Sequence, residues 1–329
     1  MLFGRPDIFG YSASMTPPEH LRIGHVTQAD EPAQAAAALE LIVSALPLDE
    51  RAAQLAALRS ELTGSNSDAA IVLSAHRQER LVGAIFAQIV PGKTAGVWPP
   101  QLVADEDEAT GADLLVALEQ QLAQCGVRLA QSLLVPDAVL NMERLAAAGY
   151  RHAAELLYLV SEAAHFPDHP PQLPFELDPF HSNDGERLVR LIEATYAGTL
   201  DCPLLDNLRD TADVLAGYRA VGEFRPELWH IVRHGARDIG CLLLADHPQH
   251  SQWELVYMGL VPAVRGRGWG IELTRHAQWL AREAQRERIL LGVDAINHPA
   301  IRMYGACGFR ACDHRSVLVK SLRTPSNAP

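Results

Sequence analysis

The chain has 329 residues, 48% of them hydrophobic and 21% charged, and carries a formal net charge of −12. That length allows two domains of about 150 residues, each large enough for its own core. An acidic balance without a basic cluster speaks against nucleic acid or an anionic membrane as partner, and leaves a cationic small molecule as the easier one.

Residues 1–20 read as a tail with neither the apolar run nor the basic head of a signal peptide, and either Met1 or Met15 is the start. No uncharged apolar run reaches the length of about eighteen residues that a membrane span needs. From Pro32 to Leu62 the pattern is two Ala/Leu-rich helices, broken at Pro47 and stopped by Thr63-Gly64-Ser65-Asn66-Ser67. Ala69 to Ala75 and Leu81 to Val90 alternate as a strand hairpin around a charged turn, and Ala95 to Leu102 is a weaker strand because Pro99 and Pro100 interrupt a ladder. A helix (109–125), a strand (129–135), a helix (137–148) and a strand (156–161) complete the half.

The Pro-rich stretch 166–174 reads as an extended linker. After it come helices at 185–196 and 210–221, strands at 228–233, 238–246 and 251–261, a helix at 269–284, a strand at 288–294, a helix at 299–307 and a strand at 314–320. The five cysteines, Cys125, Cys202, Cys241, Cys307 and Cys312, are odd in number and contain no Cys-x-x-Cys pair, which suits reduced thiols in the cytoplasm. The histidines His230, His234, His247 and His250 lack ligand spacing, so no metal is expected.

One stretch stands apart. Trp253 to Gly270 runs as a strand into Arg265-Gly266-Arg267-Gly268-Trp269-Gly270, which opens a helix. Glycines there let the backbone wrap a ligand, successive N–H groups at a helix start attract phosphate oxygens, and Arg265 and Arg267 add positive charge. The spacing is neither a P-loop nor a dinucleotide fingerprint. It resembles the Arg-x-x-Gly-x-Gly pyrophosphate motif of the GCN5-related N-acetyltransferases (GNAT), and Asn297 to Phe309 matches that family's Asn-x-x-Ala-x-x-x-Tyr-x-x-x-Gly-Phe pattern. The resemblance is strong over the second half and faint over the first.

Matching Gly149-Tyr150-Arg151 to Gly308-Phe309-Arg310 aligns the later parts of the two halves without a gap, so the chain reads as an internal duplication. In the first copy Glu106 replaces Arg265 and Leu145 replaces Tyr304, and the run Asp105-Glu106-Asp107-Glu108 would repel a pyrophosphate. The expected fold is therefore α+β, two tandem GNAT-like domains, each a mixed central sheet flanked by helices, similar in architecture to mycothiol synthase. Residues 21–165 form the degenerate domain, 166–174 the linker and 175–325 the catalytic domain.

The resemblance implies acetyl-CoA as co-substrate. Arg265, Gly266, Arg267, Gly268, Trp269 and Gly270 would bind its pyrophosphate, while backbone groups of Leu260 and Val261 would hold the acyl carbonyl and pantetheine, with Leu260 N–H the better oxyanion donor. Asn297 either contacts the pantetheine or caps the helix that follows. Glu254 falls where the family places its general base, which must deprotonate an amine that is mostly protonated at neutral pH. Tyr304 falls where the family places the acid for the departing thiolate. The irregular segment 196–205 lies over the acceptor in that family; its Asp201 would pair with a cationic group, and Cys202 either contacts the acceptor or packs. The reading is an N-acetyltransferase acting on a primary amine, by preference of a small molecule, through direct attack in a ternary complex. A CoA-binding sensor without turnover and a protein N-acetyltransferase are the alternatives, and oligomeric state is left open.

Overall fold

The computed structural model describes residues 20–26, 32–63 and 69–323. The tail, its two candidate start methionines and the helix-stop signal from Gly64 to Ser67 lie outside them. In chain order the first half contains β1 (Leu21–His25), α1 (Pro32–Val43), α2 (Leu48–Thr63), β2 (Ala70–Arg77), β3 (Arg80–Val90), β4 (Thr94–Leu102), α3 (Glu108–Gln124), β5 (Leu129–Leu134), α4 (Val139–Ala147) and β6 (Arg151–Glu162). The second half repeats the order with β7 (Glu176–Pro179), α5 (Gly185–Tyr196), α6 (Thr211–Arg219), β8 (Trp229–His234), β9 (Arg237–His247), β10 (Gln252–Leu260), α7 (Trp269–Glu283), β11 (Arg288–Asp294), α8 (His298–Ala306) and β12 (Arg310–Ser321).

Among the described residues the strands form one twelve-stranded sheet in the order β1-β2-β3-β4-β5-β12-β6-β11-β10-β9-β8-β7. The last strand of each half has changed places: β6 pairs antiparallel with β11, β12 pairs antiparallel with β5, and β6 and β12 pair with each other at the centre. The sheet is thus continuous across the two halves, and each half finishes the other's edge. β1 and β7, absent from the sequence reading, are short outermost strands whose side chains are mostly not buried, so they carry little hydrophobic signal.

β4 is a complete strand and corrects the expectation of a weak one. Its prolines sit where the register with β3 slips, between the pairs Phe86↔Trp98 and Ala84↔Gln101, and β5 pairs only with residues Thr94 to Gly96. Pro99 and Pro100 therefore stand where few ladder bonds ask for an N–H.

Helix patterning explains the layer around the site. α5 buries Leu188, Leu191, Ile192 and Thr195, a stripe of helical period. α7 buries Leu273, Thr274, Ala277, Gln278 and Ala281; the Gln278 amide is satisfied by donating to Ser161 Oγ at 2.8 Å and to the Cys307 carbonyl at 2.7 Å, tying α7 to β6 and to the end of α8. Ile289, Leu291 and Val293 alternate into the same core from β11, each contributing roughly 1.5–3 kcal/mol of burial.

Candidate active site

β10 and β11 run parallel but pair only from Gln252 to Glu254 with Arg288 to Leu290. Beyond that point they part, and a cavity of about 480 Å³ opens between them, bounded by the loop before α7, the start of α8 and the segment after α5. Val261 N–H donates to Ile239 O on β9 at 2.9 Å. Alternation along an antiparallel ladder then turns the Leu260 N–H away from β9 and into the gap. The two expected backbone donors are thus separated: Leu260 lines the cavity with its N–H facing the gap, and Val261 is consumed by the sheet.

Gly266 and Gly268 adopt φ of +75° and +79°, a conformation that side-chain-bearing residues avoid, although a Cβ would meet nothing within 4 Å at either. Gly270 serves space instead, since a Cβ there would lie 2.6 Å from Met303 Sδ on α8. Gly268 caps α7 without a side-chain hydrogen bond, leaving the first amides of a fifteen-residue helix facing the cavity, as an anion requires. Trp269 also borders the cavity, with its ring packed on Phe175 and His234.

The two arginines behave differently from the sequence expectation. Arg265 borders the cavity, yet its guanidinium donates to the carbonyls of Leu260 (2.9 Å), Ala197 (2.9 Å), Gly198 (3.2 Å) and Thr195 (2.6 Å). It closes the C-terminus of α5, whose last carbonyls lack helical partners, and fastens that end to the loop. Arg267 is exposed, lies over the Trp269 ring at 5.3 Å and does not line the cavity.

On the opposite wall stands Tyr304, its side chain 6% exposed in α8 and its hydroxyl held protonated well above the usual tyrosine range, chiefly by burial and further by the charges of Asp201 and Cys307. Asn297 caps α8, accepting from the Ala300 N–H at 3.3 Å, and also lines the cavity. Asp201 lines the cavity and accepts from the Asp294 N–H at 2.8 Å, while Asp294 accepts from the Cys202 N–H at 3.1 Å, so the two carboxylates clamp the segment to the tip of β11. Burial raises the Asp201 pKa, the Asp294 backbone bond opposes that, and the Asp294 charge adds to the rise. Cys202 itself packs with Leu205, Ala154 and Val317 and stays off the cavity wall.

Glu254 is half-buried just beyond the cavity rim, with its carboxylate 3.1 Å from His247 Nε2. A bulge between Leu255 and Tyr257 resets the alternation, so that Glu254 shares with Tyr257 the sheet face toward α5. Burial raises its pKa and the neighbouring His247 pulls it down, leaving it above the ordinary carboxylate value.

Several cavity residues escaped the sequence reading. Tyr257 shares a 2.7 Å hydrogen bond with Thr195, and Gly292 leaves the β11 floor open. A lone glycine inside a strand pattern was the available signal for Gly292; nothing in the spacing of Tyr257 distinguished it from core.

At the equivalent place in the first half, Glu106 is gripped by Arg77 at 2.8 Å and by Thr110 at 2.6 Å, which together with burial that opposes them leaves its pKa lowered. Asp107 caps α3 and Glu108 pairs with Arg144. That helix start is closed by its own acidic side chains.

Comparison with known proteins agrees with this geometry. Residues 153–309 match the acetyltransferase (GNAT) family model, and the match begins inside β6, the strand that lies beside β11. Among solved structures, a GCN5-related N-acetyltransferase from Sphaerobacter thermophilus superposes with a TM-score of 0.60 at 14% identity, over 94% of this chain and 97% of that one. A glucosamine N-acetyltransferase region from a fungal multi-domain β-N-acetylglucosaminidase gives 0.60 at 13% identity, over 92% of this chain and 38% of that one. No curated protein matches in sequence. Residues 153–309 thus match a GNAT acetyltransferase domain, and the chain shares the fold of a solved GNAT structure along most of its length.

Proposed function

We propose that the protein is a cytoplasmic acetyl-CoA-dependent N-acetyltransferase that acetylates a primary amine of a small molecule, and that only its second half turns over. The observation that supports this most is the parting of β10 and β11 around a cavity that the Leu260 N–H, the α7 amides and the Tyr304 side chain all border. The amides of Gly266 to Gly270 would take the pyrophosphate, and the Leu260 N–H the thioester oxygen as it gains charge. Asp201 would draw the ammonium of the acceptor into the cavity. Glu254, through a water, would take the ammonium proton; its raised pKa brings it closer to that task than an exposed carboxylate. The freed nitrogen forms its bond to the acetyl carbon, the carbon–sulfur bond breaks, Tyr304 gives its proton to the thiolate, and the second proton that the nitrogen sheds on becoming an amide returns through water to the tyrosinate.

A screen of small amines with released CoA as readout tests the reading, with Tyr304→Phe as control. The expected result is turnover with at least one amine and a fall of about 10²–10⁴-fold in kcat in the variant, the usual worth of a positioned acid. Acceptance of no amine by a parent protein that still binds acetyl-CoA would overturn it in favour of a sensor.

A further inference from the structure

The first half is closed to a pyrophosphate, yet two of its segments pack against α6, beside the cavity wall. α6 is a nine-residue helix with only Val214 and Leu215 buried, too short to be stable alone, so its position is set by what packs on it. The turn between β3 and β4 lies against it. Gly92 there has φ of +92°, and a Cβ on it would collide with the Asp213 carbonyl oxygen; a Cβ on Gly217 would reach within 3.5 Å of the Pro91 carbonyl. Lys93 Nζ donates to Asp213 Oδ1 at 2.9 Å, and Arg128 beside β5 donates to Asp210 Oδ2 at 2.6 Å and lies 3.6 Å from Asp213 Oδ2.

Next to α6, Leu205 is 7% exposed and packs in one cluster with Leu129 and Ala154 of the first half and with Val317 and Val319 of β12. Contact then runs inward from α6. Tyr218 stacks on Tyr257 with centroids 5.5 Å apart and planes at 20°, Tyr196 meets Tyr257 edge-on at 6.0 Å, and Tyr257 bonds Thr195. Tyr257 and Thr195 are cavity wall.

We propose that the first half is a brace for this wall, with Gly92, Lys93 and Arg128 as positioning residues that fix α6 and, through Tyr218 and Tyr257, the shape of the acceptor side. Calling that side the acceptor's rests on the acyl-transfer reading; the bracing itself does not. Exposed ion pairs are individually weak. Here ion pairs from Lys93 and Arg128 converge on the start of one short helix, beside a turn only glycine permits, while Tyr218 on Tyr257 and Arg219 over Phe180 and Phe224 hold its other end.

Hydrogen exchange over residues 199–221, read by mass spectrometry, tests the brace, with calorimetry against acetyl-CoA on the same samples. Asp213→Lys sets a third cation beside Lys93 and Arg128 and should raise exchange there about threefold to fivefold. The charge swap Lys93→Glu/Asp213→Lys should restore most of the protection, which general loss of fold would not do. Gly92→Ala, forcing the turn off α6, should raise exchange further, and all three variants should keep acetyl-CoA affinity within about threefold of the parent. Exchange at the parent level in both Asp213→Lys and Gly92→Ala, or absence of rescue in the swap, would overturn the proposal. So would a loss of acetyl-CoA affinity beyond about tenfold, since the contacts would then serve the cofactor loop. If the parent itself binds no acetyl-CoA, the acyl-transfer reading falls while the exchange data still decide the brace.

Discussion

Arg265 separates two physical roles that coincide in the motif, positive charge and a planar fork. Arg265→Lys keeps the charge. The ammonium cannot reach all the carbonyls that the guanidinium spans, Leu260, Thr195, Ala197 and Gly198 at 2.6–3.2 Å, and should keep about two of them. Each lost bond is worth about 0.5–1.5 kcal/mol net, and because the residue is exposed the sum belongs at the low end, about 1–2 kcal/mol. Two carbonyls at the end of α5 are left to water, and the loop that carries Gly266 and Gly268 loses its anchor. Urea unfolding should show that loss of stability, and calorimetry should show acetyl-CoA affinity reduced about tenfold, nearly as far as in Arg265→Ala. If Lys retains parental stability and affinity while Ala loses affinity alone, charge toward the phosphates is the operative role and the buckle is incidental.

Three other outcomes are expected. Glu254→Gln should keep acetyl-CoA binding and lower turnover about 10²–10⁴-fold; in the parent the acid limb of kcat/KM should lie above the ordinary carboxylate range, since burial raises this pKa, and an acid limb at or below about 4.3 would remove Glu254 from the role. Asp246, 2% exposed, is held by Arg286 at 2.7 Å and Arg225 at 3.2 Å; burial works to raise its pKa, but these bonds outweigh it and the folded value is lowered. Its contribution is therefore complete above the unfolded pKa of about 3.9 and is lost as pH falls through the folded value, so Asp246→Asn should flatten the acid side of a stability-versus-pH curve, and an unchanged curve would exclude it. A fragment beginning at residue 167 should be aggregation-prone because it leaves the β11 edge unpaired, whereas one beginning at residue 151 restores β6; equal solubility of the two would contradict the importance of the exchange.

The amino-acid order alone revealed the repeated element order, most helices and strands, and the glycine-rich turn before α7. These are local signals: hydrophobic period, glycines where φ is positive, and side chains at fixed spacing on one strand, loop or helix. Gly266 and Gly268 could be singled out because a backbone conformation, here φ of +75° and +79°, is a property of a few consecutive residues. Arg265 was assigned its charge but not its partners, since Thr195, Ala197 and Gly198 lie far off in the chain and offer only backbone oxygen, which leaves no mark in a side-chain pattern. Asp201 was singled out, but not its clamp with the tip of β11. The exchange of β6 and β12 was invisible for a related reason. Two halves with the same element order give each terminal strand two edges of nearly equal chemistry, β5 and β11, and strand sequence does not state which it joins. Only the tertiary structure decided that choice, because the energy that decides it, the burial of Val317 against Leu129 and Ala154 of the opposite half and the satisfaction of both open edges, exists only once the whole sheet has assembled.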